Sequence, residues 1–313
     1  MNTEEMKGKI SEILDAESGY GFQSFVCVKS SDGLKSLVFS LEDTDKSSFK
    51  DVVCSTISDC INKHYLTDEA ELKSCDDIHD NTNSFYEVPQ NAEYQPFAFL
   101  DSKCTVRFTD KDKPNLVGFL FYFNLGDSGF WAYQHVYPVR MPTKSNGFYA
   151  FFDKSVYKEL KKELLRIDFR VDLLVIDGSI ITQNINLLQK AFAFDQYIRN
   201  ESQKAIQMID CLGIIEDMSA ILNFEGVEKL TNAKKLMKIR NSPVLQMDKA
   251  KLIKGLQTIK RYKGRLKIKN GKIQISSKKD VIELLKILND DYLKSELTGQ
   301  EYESSSKIIE KRT

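Results

Sequence analysis

The chain has 313 residues, 42% of them hydrophobic and 29% charged, and its 45 basic side chains balance 45 acidic ones. These values are ordinary for a soluble globular protein of one large or two moderate domains. Six cysteines without a CxxC pair and three histidines argue against a disulfide framework or a structural zinc site, and no apolar run nears the roughly twenty residues of a membrane span. The start MNTEEMKGK lacks the apolar stretch of a signal peptide, so the expectation is a cytoplasmic protein with reduced thiols. The zero net charge conceals an asymmetry. Residues 1–110 hold 10 Lys/Arg against 21 Asp/Glu, whereas residues 229–279 hold 17 Lys/Arg and one acid, Asp248. Such segregation is the footprint of an anion-binding surface.

In chain order, the first half reads as β-rich. Strands are predicted at Phe22–Val28, Ser36–Leu41, Cys104–Phe108, Leu116–Phe123, Phe130–Tyr137 and Phe148–Phe152, all aromatic or β-branched, with Asp32-Gly33 and Gly126-Asp127 as turns. One helix interrupts them over Ser47–Lys63, with Phe49, Val52, Val53, Ile57 and Ile61 on one stripe. The acidic stretch 67–84 reads as an exposed loop, and FRVDLLVIDGSIITQN (169–184) as a hairpin turning at Asp177-Gly178.

From about Asn186 the period becomes helical: Leu187, Leu188, Ala191, Phe194 and Ile198 share one stripe, and Ile206, Ile209 and Leu212 another. A helix over Glu228–Ile239 runs into Pro243. Asp248 offers an N-cap for KAKLIKGLQTIKRYK, with Leu252, Leu256 and Ile259 at core spacing. RLKIKNGKIQIS (265–276) is a hairpin with Asn270-Gly271 at its tip. Leu266, Ile268, Ile273 and Ile275 share its apolar face, while Arg265, Lys267, Lys269, Lys272 and Gln274 share the other. Ser277 through Asp280 resembles a capping box opening a last helix, with Val281, Leu284, Leu285, Leu288 and Tyr292 inward and Gly299 near its end. The fold class is therefore α+β: a mostly antiparallel, acidic β-rich part over 1–185, then a helical part over 186–313 that contains the basic hairpin.

No motif argues for catalysis. GYGF (19–22) lacks the GK[ST] and following helix of a phosphate loop. Asp168, Asp172 and Asp177 lie near an apolar strand, as metal-binding acids do in nucleases, but no Glu-x-Lys accompanies them and Asp177 is explained by its turn. His135, in FWAYQHVYP, alternates with aromatics as a packed strand residue does, with no serine or cysteine elbow to serve. The expectation is a protein without catalytic residues, metal, cofactor or small-molecule substrate; a divergent metal-dependent nuclease is the outlying alternative.

The basic segment is the feature that a solvated charged face explains poorly, because such faces normally mix signs. Lysine outnumbers arginine 14 to 3 within it. Arginine forks suit base edges and lysine point charges suit phosphates, so the reading is duplex DNA held with little sequence preference. The residues assigned to DNA are Lys234, Lys235, Lys238 and Arg240 on one helix, and Lys249, Lys254, Lys260, Arg261 and Lys263 on the next. Arg265, Lys267, Lys269 and Lys272 on the hairpin, and Lys278 and Lys279 beyond it, complete the set. The alternative is an adaptor whose basic patch docks an acidic protein or an anionic membrane surface.

The run KRYKGRLKIKNGKIQISSKKDVIELLKILNDDYLKSELTGQEYESSSK (260–307) resembles the C-terminal signature of the KwaB family, the second component of the Kiwa bacterial anti-phage defence system, and 289–307 is its most specific piece. IDFRVDLLVIDGSIITQN, AFAFDQYIRN and WAYQHVYP are similar to the family more loosely, and the first hundred residues carry no matching motif. The resemblance implies a cytosolic DNA-binding protein that acts with KwaA, a small multi-pass membrane protein, to block phage replication. It also implies recruitment to the inner face of the membrane through that partner, and self-association as a homodimer. It brings no catalytic motif.

Overall fold

The computed structural model describes residues 1–41, 49–75, 84–91, 93–136, 150–153, 156–159, 167–223, 229–295 and 297–304. The chain divides into two compact units, one comprising 1–73 and 83–184, the other built on 185–313.

The first unit begins with α1 (Thr3–Leu14), β1 (Gly21–Ser30), β2 (Gly33–Val38), α2 (Phe49–Tyr65), β3 (Leu72–Ser74) and β4 (Phe85–Pro89). It continues with β5 (Leu116–Leu125), β6 (Ser128–His135), a separate hairpin of β7 (Ala150–Asp153) and β8 (Val156–Glu159), then β9 (Leu173–Ile176) and β10 (Ser179–Thr182). Eight of these strands form one sheet in the order β2-β1-β5-β6-β9-β10-β4-β3, antiparallel at each pairing from β2 through β4. Met6, Ile10 and Ile13 of α1 and Val53, Ile57 and Ile61 of α2 pack with Phe119, Phe121 and Phe123 of β5 in one apolar cluster. The alternate residues Phe25, Leu120 and Tyr133 are also buried. Burial on both faces is why β5 reads LVGFLFYFNL, with no polar alternation. Gly118 makes room for the Tyr133 ring, since a Cβ there would lie 2.3 Å from it. The β9–β10 turn places Asp177 at φ 47° and Gly178 at φ 76°, as a type I′ turn requires.

The second unit contains α3 (Ile185–Ala191), α4 (Phe194–Cys211), α5 (Ser219–Leu222), α6 (Leu230–Ile239) and α7 (Lys249–Thr258). The hairpin β11 (Lys267–Lys269) and β12 (Lys272–Gln274) follows, then α8 (Lys278–Leu288) and a second hairpin, β13 (Tyr292–Lys294) and β14 (Glu301–Glu303). Its core draws Ile206 and Ile209 from α4, Leu236 from α6, Leu252 and Leu256 from α7, Ile273 from β12 and Leu284 and Leu288 from α8. The α+β class and the order of a β-rich first half before a helical second half hold.

Several local expectations need correction. The sequence reading missed α1, although Met6, Ile10 and Ile13 share a stripe and Asn2 caps it, its Oδ1 accepting from the Glu5 N–H at 2.8 Å. On α2, Phe49 and Val52 face solvent at 45% and 50% exposure, and Val53, Ile57 and Ile61 make the buried stripe; Ser47 lies outside the described residues. Cys104–Phe108 is not a strand: its pairing is confined to backbone bonds between Val38 and Val106 and between Phe108 and Val38. The predicted loop 67–84 contains β3 and the buried Ala70 and Cys75, while its residues 76–83 lie outside the described residues. Tyr137 and residues 148 and 149, at the ends of two predicted strands, also lie outside them. The helical run after 185 breaks at Ala193, whose φ of 52° is left-handed. α7 stops at Thr258, so Ile259 is 44% exposed and Ile253 is buried in its place. Gly299 belongs to the turn between β13 and β14, because α8 ends at Leu288 and the chain reverses at Asp290, φ 54°. Tyr292 is buried from β13 and not from the helix.

Candidate DNA-binding surface

The hairpin registers as its sequence demands. Asn270 (φ 52°) and Gly271 (φ 70°) form the turn, Ile268 faces Ile273, and Lys269 faces Lys272. Ile273 is fully buried and Leu266 nearly so, with Ile268 and Ile275 packed against the same cluster. The hairpin is further anchored by the 214–216 segment: the Ile273 N–H donates to Ile214 O at 2.7 Å, and the Glu216 N–H donates to Ile273 O at 3.0 Å. With the apolar side held down, Lys267, Lys269 and Lys272 are exposed. Like charges directly opposite on a strand pair are destabilising, so the Lys269–Lys272 pairing makes sense where an anion lies over it.

α7 starts as predicted. Asp248 Oδ1 accepts from the N–H groups of Ala250 and Lys251 at 2.9 and 3.1 Å. Lys249 turns back to donate from Nζ to Gly213 O at 2.5 Å, next to the segment that pairs with β12. Lys254 is exposed on α7; Lys260 and Lys263 are exposed and Arg261 half-buried in the turn after it, not on the helix. Lys251, exposed on α7, was absent from the sequence-based set. α8 begins with Ser277 Oγ accepting from the Asp280 N–H at 3.3 Å, while Asp280 Oδ2 accepts from the Ser276 N–H at 2.9 Å. Lys278 and Lys279 therefore sit in its first turn, at the positive end of the helix dipole, and strengthen the local pull on anions.

Not every cation is available in the same way. Arg240, at the end of α6, ion-pairs with Glu201 of α4, a carboxylate 2% exposed that also receives Lys204 Nζ at 2.9 Å. Arg265 pairs with Glu283 at 3.1 Å and lies over Tyr292. Lys234 and Lys238 are half-buried on α6, and Lys235 is exposed. Among the described residues, no acid pairs with Lys254, Lys260, Lys263, Lys267, Lys269 or Lys272 within 4.0 Å.

In the first unit, two of the acids read as possible metal ligands, Asp177 and Asp172, make ion pairs with different cations. Asp177 is 61% exposed and paired with Lys9 at 2.7 Å. The Asp168 carbonyl accepts from Gln134 Nε2 at 2.7 Å. Asp172 is buried: its Oδ2 accepts from the His135 N–H at 2.7 Å, and its Oδ1 pairs with Arg170 Nε at 3.1 Å. Burial raises its pKa, and the His135 and Arg170 contacts oppose the rise. His135 ends β6 half-buried, with Nδ1 2.9 Å from the Tyr133 hydroxyl, and burial lowers its pKa.

A family model described as Kiwa protein KwaB-like matches residues 113–298, from just before β5 to the turn after β13, with the whole lysine hairpin inside it. The chain belongs to the KwaB-like family. The protein of Escherichia coli O55:H7 (strain RM12579 / EPEC) named Kiwa protein KwaB is 31% identical over 154 residues, 48% of each chain, so the match spans about half that relative's length. No solved structure matches the chain. The KwaB-like region omits residues 1–112, which include the first hundred residues in which the sequence carried no family motif, and 299–313, so only 289–298 of the 289–307 piece lies inside it.

Proposed function

We propose that this KwaB-like chain is a DNA-binding component of Kiwa-type defence that grips duplex DNA through phosphate contacts, with little sequence preference and without cutting it. The observation that carries this reading is the Lys269–Lys272 pair, opposed across a hairpin whose apolar side is packed into the core and whose Lys267, Lys269 and Lys272 make no ion pair within 4.0 Å among the described residues, the acids at its edge being taken by Arg265 and Gln274. Phosphates spaced along a duplex would relieve that repulsion, and lysine ammonium groups suit phosphate oxygens without reading bases. The protein works in the cytoplasm as a homodimer and reaches the inner face of the membrane through KwaA, blocking phage replication there.

The test is a binding titration with two unrelated duplexes at several salt concentrations, without and with magnesium. Equal affinities, a steep fall with salt and intact DNA are expected. Magnesium-dependent cleavage abolished by Asp172→Ala would overturn the non-enzymatic reading. Absence of both binding and cleavage would favour an adaptor whose lysines dock an acidic protein or anionic lipid.

A further inference from the structure

The first unit holds a cavity of about 230 Å³, separate from the lysine surface. It opens between the last turn of α2, β4 and the 169–172 stretch that leads into β9. The volume lies below the roughly 300–1,000 Å³ of pockets for drug-sized ligands, so it suits a single small ring system.

Its walls are aromatic. Tyr65 and Phe85 are buried with ring centroids 4.3 Å apart, and Tyr65 is fixed by its hydroxyl, which donates to Val171 O at 3.3 Å. Phe169 stands at the mouth, 50% exposed, with Lys63 Nζ 5.8 Å from its centroid. A large aromatic left half in water beside a cavity is a stacking platform in form.

The polar lining of the cavity consists of His64, Gln183 and Asn184 together with a charge pair. Asp172, 7% exposed, offers carboxylate acceptors, and Arg170, held by Asp172 and by its Nη2 donating to His135 O at 2.8 Å, offers guanidinium donors. The two formal charges cancel, and a phosphate or carboxylate entering the cavity would meet the Asp172 carboxylate. A neutral planar heterocycle with an N–H and a carbonyl or ring nitrogen on one edge would meet a donor and an acceptor side by side.

We propose that this cavity is a subsite for one unpaired nucleobase, stacked on Phe169 and hydrogen-bonded along its edge by Arg170 and Asp172. The base comes either from a free nucleoside or from an unpaired position in a DNA strand; in the second case the inference rests on the DNA-binding reading, and in the first it stands without it.

The experiment measures adenosine, guanosine, cytidine and thymidine binding to the full chain by calorimetry, and compares a blunt duplex with the same duplex carrying a single-stranded overhang. Phe169→Ala is the main variant, because this exposed ring can be removed without opening the core. Asp172→Asn, checked for folding by circular dichroism, is the second. A source in free nucleosides predicts saturable binding of at least one nucleoside that Phe169→Ala weakens about tenfold or more, the effect of losing one stacked base. A source in DNA predicts about tenfold tighter binding of the overhang than of the blunt duplex, a difference that Phe169→Ala abolishes while blunt-duplex affinity is kept. Blunt-duplex binding without nucleoside binding and without overhang preference overturns the subsite and leaves the DNA-binding reading standing. Nucleoside binding without any duplex binding does the reverse.

Discussion

The guanidinium of Arg265 lies 3.8 Å from the centre of the Tyr292 ring, and one carboxylate oxygen of Glu283 binds both residues, 3.1 Å from Arg265 Nη1 and 2.6 Å from the Tyr292 hydroxyl. This clamp joins the residue that opens the lysine hairpin to α8 and to the strand beyond it. Burial and the bond to Glu283 hold the Tyr292 hydroxyl protonated far above the usual phenol range. Arg265 is thus a structural cation as much as a DNA ligand. Replacement by lysine keeps the charge and loses the flat stack and the fork, so Arg265→Lys should lower stability by about 1 kcal/mol. A urea midpoint equal to the parent's would show that the clamp contributes nothing.

The hairpin lysines should behave in the opposite way. Lys272→Glu puts opposite charges across the Lys269–Lys272 register and should stabilise the fold by about 0.2–1 kcal/mol, while weakening duplex binding. Changing Lys267, Lys269 and Lys272 together to Glu should weaken unrelated duplexes alike and flatten the slope of log affinity against log salt by about 2.7, at about 0.9 per phosphate. Ile273→Asp is the control: it buries an unpaired charge in the core and should unfold the second unit. A folded triple variant with the parental salt slope would remove the hairpin from the DNA surface.

The pH dependence of stability has a sign set by His135. Burial depresses its pKa below the ordinary 6.5, Arg170 adds to the effect and Asp172 opposes it. Between the depressed value and 6.5 the folded state holds fewer protons than the unfolded one, so its contribution is full above 6.5 and is lost as pH falls through that window. Asp172 carries the opposite sign: burial raises its pKa above 3.8, so between 3.8 and the raised value the folded state holds more protons than the unfolded one. Thermal melts of the parent and of His135→Gln should diverge below about pH 6.5, with the variant losing less stability on acidification. Parallel curves would mean that His135 titrates alike in both states.

Among the described residues no helix is long and apolar enough to cross a membrane. When the protein is made with KwaA it should sediment with membranes, and without KwaA it should stay in the supernatant. Sedimentation without KwaA that high salt reverses would instead point to anionic lipid bound through residues 229–279.

Local chemistry was legible in the chain. Asn270-Gly271 and Asp177-Gly178 specify their turns because two consecutive residues must adopt positive φ, and Asp248 and Ser277 specify helix starts because their side chains reach orphan N–H groups a few residues on. Period-two spacing set the faces of the hairpin, and the lysine density of 229–279 needed no fold to be seen. Helix ends were less legible: α1 hides its three core residues among charged ones, and α7 stops one turn before its basic run does.

Tertiary structure decided which charges remain available. Arg240 and Lys254 look alike in a sequence, yet one meets the buried carboxylate of Glu201, 39 positions away, and the other meets solvent. The cavity of Tyr65, Phe85, Phe169, Arg170 and Asp172 was equally invisible, because α2, β4 and the approach to β9 are brought together only by the strand order of the sheet. Short-range patterns fix backbone geometry within a few residues, but which side chains converge depends on contacts distant in sequence, and those exist only once the sheet and the core have formed.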